Sequence, residues 1–378
     1  MDFEITTCRP EDYDELMVFL ETSYRHSRGY FPRRYPHVWR RETVDYENRL
    51  VIKVDDRIVS HVGVFPLKMR IGKVEVMMGG IGGVATLQEF RGRGFMTKLM
   101  NYAISKMRKE GYPLSILWGD RQRYGHFGYE MAGKYALFKV SVRSLEIEWR
   151  PSMVGIVRYR GESDLLDSII SLHDKEPIVI ERSRRDYELL FDMPGLMVFL
   201  SEEKSAYIAF ISEHRPNRII EYGGPPENLF PLIYSILMTL GKEYGASEVE
   251  VSCPYYIYDT FLALRRVCYL WRLVPVGMVK ILSLKDTLKA YSPLLSERGS
   301  RLQIDISIGI KETGERVRLM VDRGEVLLEE IDTEPKLLLD ERSMVRLLFD
   351  GPETIGLGAS QLQVLFPLPL YVWGLDHI

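Results

Sequence analysis

The stretch Val84-Ala85-Thr86-Leu87-Gln88-Glu89-Phe90-Arg91-Gly92-Arg93-Gly94-Phe95-Met96-Thr97-Lys98-Leu99 brings strand-like residues, two arginines and two glycines to the start of an amphipathic segment. The first N–H groups of a helix have no partner inside it and lie at the positive end of its dipole. With Arg91 and Arg93 beside them they form a site suited to a pyrophosphate. Glycine at 92 and 94 keeps a Cβ from holding the phosphates off the backbone. A second group, Tyr124-Gly125-His126-Phe127-Gly128-Tyr129, follows the next strand. A third is the tail Pro369 to Ile378, apolar and aromatic rather than polar, in which Asp376 and His377 are side chains able to take a proton. Gly80-x-Gly82-x-x-Ala85 formally matches a dinucleotide pattern, but it precedes strand residues. It reads as a bulge or close-packing feature, and the antiparallel meander around it argues against a Rossmann unit.

These residues need elements to position them. Residues 2–8 read as a strand and Pro10-Glu11-Asp12 opens a helix whose Tyr13, Leu16, Met17 and Leu20 share a face. Strand patterns at 50–54, 58–70 and 74–86 are joined by turns at Asp55-Asp56 and Ile71-Gly72-Lys73. A helix over 92–110 buries Met96, Leu99, Met100, Ala103 and Met107, and 114–118 supplies a short buried strand. The order recurs more weakly: strand 154–159, helices 163–173 and 182–191, strands 196–200, 205–212 and 218–222, helix 227–244, strand 248–252. After about Leu284 an alternating strand at 302–310 turns into a partner at 316–321, and 340–349 reads as a helix. The reading is therefore a mixed α/β chain of three domains, 1–145, 146–284 and 285–378.

Composition narrows the class. The chain has 378 residues, 50 basic and 53 acidic, a net charge of −3, 46% hydrophobic and 11% aromatic residues. That excludes a disordered chain and gives no global drive toward nucleic acid. No run approaches the length of a membrane span, and Met1-Asp2-Phe3-Glu4 lacks the layout of a secretory signal, so a cytoplasmic address is expected. Cys8, Cys253 and Cys268 predict no disulfide framework, and the scattered histidines predict no metal site.

Arg91-x-x-Gly94 at a strand-to-helix junction, preceded by Val-Ala-Thr, resembles the acetyl-CoA motif of the GNAT acetyltransferases. Tyr124 to Tyr129 resembles the Tyr-Gly-Arg-Phe-Gly-Tyr signature of the branch named for the enhanced intracellular survival (Eis) protein. That branch carries a GNAT domain, a degenerate second GNAT domain and a sterol-carrier-protein-like domain, the order found above. The resemblance implies that Val84, Ala85 and Thr86 offer backbone groups to pantetheine. It also implies that Arg91, Gly92, Arg93, Gly94, Phe95, Met96 and Thr97 cradle the pyrophosphate, with Gly119 and Asp120 beside the cofactor. It implies Tyr124 as proton donor to the leaving thiolate and the terminal carboxylate of Ile378 as base, with Asp376 and His377 competing. Met96 stands where most of the family has Gly or Ala, and His126 replaces the branch's common Arg. The branch also suggests a homo-oligomer, up to a hexamer.

The segment Tyr24–Arg41 holds six arginines, no acid, and Tyr24, Tyr30, Phe31, Tyr35 and Trp39 between them. Its reading is a loop around the substrate groove that repels polycationic amines and favours a single amine on a peptide, amino acid or partly anionic molecule; a nucleic-acid role is the competing one. The junction Tyr222-Gly223-Gly224-Pro225-Pro226 has prolines where N–H donors would be required, so the second domain is expected to bind no acetyl-CoA. The expected activity is acetyl transfer to a primary amine within a ternary complex, without a covalent intermediate or metal. The alternative is an acyl-CoA or ligand sensor without turnover.

Overall fold

The computed structural model describes residues 3–211, 218–241, 246–358 and 361–377. Contacts divide the chain into two compact units, one holding the residues up to Gly133 with Gly277–Leu368, the other Lys134–Val276 with Pro369–His377. The cuts fall inside the strands Glu130–Ser141 and Leu270–Ile281, not at 145/146 and 284/285 where sequence texture changes. A long strand changes neighbours partway along without changing its composition.

In the first unit β1 (Glu4–Thr7), β2 (Arg49–Val54), β3 (Arg57–Ile71), β4 (Val74–Thr86) and β5 (Leu114–Leu117) lie side by side in that order. β1 to β4 are antiparallel, β4 and β5 are parallel, and Met278–Ile281 runs antiparallel to β5. The β2–β3 turn is made by Asp55 and Asp56, both left-handed at φ 51° and 60°, which matches the twist of a tight hairpin. Helix α1 (Tyr13–Tyr24) buries Tyr13, Leu16, Met17, Phe19 and Leu20. The short helices α2 (Tyr30–Arg34) and α3 (Pro36–Trp39) follow. Helix α4 (Phe95–Lys109) buries Leu99, Met100, Ala103, Ile104 and Met107. One apolar cluster joins these helices to the inner faces of β2, β3 and β4.

The same unit contains a second sheet, in the order Glu325–Glu330, Arg316–Asp322, Gln303–Ile310, Leu337–Leu339. The predicted hairpin is present, with Ile306 opposite Leu319. The helix Glu341–Asp350 is capped by Asp340, whose carboxylate accepts from Ser343 N.

The second unit repeats the order of the first. Leu196–Ser201, Tyr207–Ile211 and Arg218–Gly223 form an antiparallel meander, the helix Pro226–Thr239 follows, and Glu248–Pro254 then lies parallel to Arg218–Gly223. Residues 212 and 242–244 of the predicted elements lie outside the described residues. Its apolar cluster includes Leu375 of the tail.

Candidate active site

The site starts where two parallel strands part. β4 pairs with β5 from Met78–Leu114 to Ile81–Leu117 and then runs on to Thr86 with β3 alone beside it. The register slips between His61 and Gly63, opposite Gly83, whose φ of +61° is a conformation that disfavours side chains. The buried His61 ring donates from Nδ1 to the Gly83 carbonyl at 2.7 Å and holds this bulge. Burial drives the His61 pKa down to about 3, so the ring stays neutral. Past the bulge, Tyr24 donates to Val84 O at 3.0 Å, Ser60 to Ala85 O at 3.0 Å and Arg91 Nε to Thr86 O at 3.2 Å. The Val84 and Thr86 carbonyls each keep a second lone pair.

The strand leads to the start of α4. Gly92 and Gly94 are both left-handed, at φ 76° and 75°, with open space where a Cβ would stand. Phe95 turns inward and packs on Phe3 and Phe90 at 5.3 and 6.4 Å, so of this residue only the backbone is offered to the cleft. Thr97 and Arg93 are exposed, Arg93 lying over the Phe90 ring at 5.1 Å.

A cleft of about 500 Å³ opens here, lined by Val84, Ala85, Thr86, Arg91 and Met96 and also by Ser23, Tyr24, Arg25 and Arg123. Among the described residues, three guanidiniums and no carboxylate line it. Ser23 Oγ is buried without a hydrogen-bond partner. A cleft with these cations, an unsatisfied hydroxyl, an open strand edge and an adjoining helix start fits a pantetheine thioester carrying phosphates. Sequence reading did not find Ser23 or Arg123; it placed Arg25 on a loop around the substrate groove whose arginines face water or the cofactor's phosphates. In the structure Arg25 is the left-handed residue (φ 59°) that ends α1 and turns the chain back.

Tyr124 lies at the end of a one-turn helix, Arg121–Tyr124, whose first N–H groups are met by Asp120 accepting from Gln122 N at 2.7 Å. Asp120 is thus a cap, and Gly119 leaves room for the Tyr124 ring, which a Cβ would strike. The Tyr124 hydroxyl is raised above its ordinary value by burial, with Arg123 opposing. It therefore stays protonated at neutral pH. The rest of the motif is structural: Phe127 and Tyr129 are buried, and Tyr129 OH meets Ser115 Oγ at 2.7 Å, which donates to Gly79 O at 2.6 Å. Gly128, left-handed at φ 84°, lies against Glu341 and Lys280, which pair with each other. Glu130 accepts from Arg121 at 2.7 Å and from Arg342 at 2.9 Å. His126 is exposed and tilts over Phe127 at 4.0 Å.

The tail belongs to the second unit. Asp376 is buried and receives Arg182 at 2.6 and 2.7 Å, and the same guanidinium holds Glu221 at 2.6 Å. Burial pushes the Asp376 carboxyl up to about 6 although Arg182 pulls it down. Its oxygens are engaged in this ion pair. His377 is half-buried, and Ile378 lies outside the described residues. Among the described residues no group of His, Cys, Asp or Glu is placed to hold a metal, and no helix is long and apolar enough to cross a membrane.

A strand-to-helix junction beside a splayed parallel pair is the geometry of a GNAT-type α/β fold, and residues 4–132 match the family model described as an acetyltransferase (GNAT) domain. Over the whole chain the fold is shared with solved structures of low identity. The GCN5-related N-acetyltransferase from Kribbella flavida is 17% identical with a TM-score of 0.71, covering 100% of this chain and 98% of its own. A probable N-acyltransferase from Enterococcus faecalis V583 is 15% identical with a TM-score of 0.69, covering 92% and 90%. Eis1 from Mycobacterium abscessus is 12% identical with a TM-score of 0.68, covering 96% and 95%. No curated protein matches the chain closely enough in sequence to carry a comparison.

Proposed function

We propose that the chain is an acetyl-CoA-dependent N-acetyltransferase that moves the acetyl group directly onto a primary amine. The observation that carries this reading is the open edge of β4 past Ile81, next to a carboxylate-free cleft with three guanidiniums and with Tyr124 close by. Acetyl-CoA supplies the thioester whose C–S bond breaks as the N–C bond forms. Arg25, Arg91 and Arg123 hold phosphate oxygens, and the N–H groups at the start of α4 add to them. The β4 edge aligns the arm as an added strand would. Tyr124 gives its phenolic proton to the departing sulfur and recovers one from solvent, so the proton lost by nitrogen balances the one gained by sulfur.

An ordinary alkylamine, near pKa 10.4, must first lose a proton. The terminal carboxylate of Ile378 is the proposed base, since the Asp376 carboxylate is committed to Arg182. Burial pushes the Cys8 and Cys253 thiols up to about 12, which leaves neither as a ready nucleophile and favours direct transfer. The reading also takes residues 285–378 as the branch's sterol-carrier-like domain, and it expects a cytoplasmic homo-oligomer whose size sedimentation will give.

Thiol release from acetyl-CoA is the test. Tyr124→Phe is expected to lower kcat by about 100-fold with little change in acetyl-CoA affinity, and deletion of Ile378 to lower kcat and shift its pH profile. If the chain binds acetyl-CoA but releases no thiol with any amine, it is a sensor and not an enzyme; if it turns over and neither variant alters thiol release, the roles given to Tyr124 and Ile378 fall.

A further inference from the structure

Most of the arginines of Tyr24–Arg41 lie apart from its aromatics, although Arg34 is half-buried and lies over the Tyr35 ring at 5.4 Å. Arg41 pairs with Asp14 at 2.6 Å, and Arg33 donates to the Arg28 carbonyl at 3.1 Å, all three arginines being exposed. Of the rings, Tyr30 and Tyr35 are half-buried and Tyr24 is exposed at one edge. Phe31 and Trp39 are buried and meet edge-to-face at 5.7 Å, and Tyr30 stands edge-on to Phe31 at 5.5 Å and stacks on His26 at 3.7 Å. With Tyr24, Tyr35 and Trp118 they wall a cavity of about 180 Å³ that no Asp, Glu, Arg or Lys among the described residues lines. The cavity shares Tyr24 and Val84 with the cleft of the guanidiniums, and Tyr124 forms part of its wall.

We propose that this cavity is the acceptor subsite and that it selects an arylalkyl primary amine, an aromatic ring on a short chain ending in the amino group. The proposal rests on reading the adjoining cleft as the acetyl-CoA site. A polyamine or aminoglycoside brings several ammonium groups that need carboxylates in place of water, and the walls offer none, while three guanidiniums next door repel them. An acidic peptide finds its arginines outside the cavity, not within it, so the proposal departs from the substrate class expected from sequence. A single ring gains edge and face contacts on several sides. The one nitrogen it carries is desolvated, which favours the neutral amine that attacks.

The test compares phenethylamine and tryptamine with hexylamine, spermidine, kanamycin and an acidic tetrapeptide, by thiol release and by calorimetry on acetyl-CoA-loaded protein. The aryl amines are expected to exceed the others in kcat/KM by roughly tenfold or more. Tyr30→Ala is expected to raise the KM for phenethylamine roughly tenfold at unchanged acetyl-CoA affinity, with Tyr30→Phe restoring it. A higher kcat/KM for spermidine, kanamycin or the peptide overturns the proposal while leaving the enzyme reading intact. Aryl-amine binding that Tyr30→Ala weakens, without turnover of any amine, upholds the subsite and removes the enzyme. Aryl amines that neither bind nor react overturn it.

Discussion

The two units contain the same junction put to opposite uses. In the first, β4 passes the end of β5 and its edge stays open before two left-handed glycines and a helix start. In the second, Arg218–Gly223 pairs with Glu248–Pro254 at Arg218 and Ile219, and then the chain's own tail closes in. Gly374 N donates to Ile220 O at 3.4 Å, and Trp373 stands edge-on to Tyr222 at 5.1 Å. The helix there opens with Pro225-Pro226, and the last free N–H before it, on Gly224, is taken by the Glu176 carboxyl at 3.2 Å. The difference lies in the free edge and the helix start: the first unit leaves them open to a ligand, and in the second a peptide segment and a carboxyl of the same chain occupy the corresponding positions.

Breaking the second junction has the largest expected effect. Arg182→Ala removes the cation shared by the buried Asp376 and Glu221, leaving Glu221 only Tyr207 and His173, and about 3–5 kcal/mol of stability should be lost in the second unit. Chemical denaturation followed by Trp fluorescence measures it, and an unchanged midpoint would mean the tail is not anchored there.

Glu176 gives a smaller, pH-dependent effect. Burial raises its carboxyl from 4.5 in the unfolded chain to about 8. The folded protein therefore holds this proton more tightly, and the contribution is full below pH 4.5 and is lost as pH rises toward 8. Glu176→Gln should flatten the fall in Tm over that window by several degrees. It should still leave one acetyl-CoA bound per chain in calorimetry, because the prolines and the tail remain. A second equivalent would refute the comparison.

Smallest is Arg91→Ala, which removes one of three guanidiniums and should weaken acetyl-CoA roughly tenfold, with a reduced salt dependence of Kd. If affinity is unaltered, the cleft is not the phosphate site.

Much of this was legible in sequence because period and punctuation are local. The stripes of α1 and α4, the Asp55-Asp56 turn and the hairpin of 302–321 each depend on neighbours a few residues away. The strands Glu325–Glu330 and Leu337–Leu339 escaped because half-exposed edge strands carry little alternation. The segment Tyr24–Arg41 shows a different limit. Its composition announces charge, yet two short helices send the rings to one side and leave most of the arginines in solvent, and only the fold decides which set a ligand meets. The same holds for Asp376, a plausible base in sequence and one half of a buried ion pair in the structure.

The clamp on the tyrosine motif has a consequence for biosynthesis. Glu130 is bonded to Arg342, 212 residues later in the chain, and Gly128 is pressed against Glu341 in the same helix turn. The Asp120 cap, the Ser115–Tyr129 bond and the Arg121–Glu130 pair all come from the first 130 residues and can form early in synthesis. The two remaining contacts wait for the helix Glu341–Asp350, so a chain ending before Glu341 is expected to hold the tyrosine turn less firmly, which proteolysis of the truncated chain would measure.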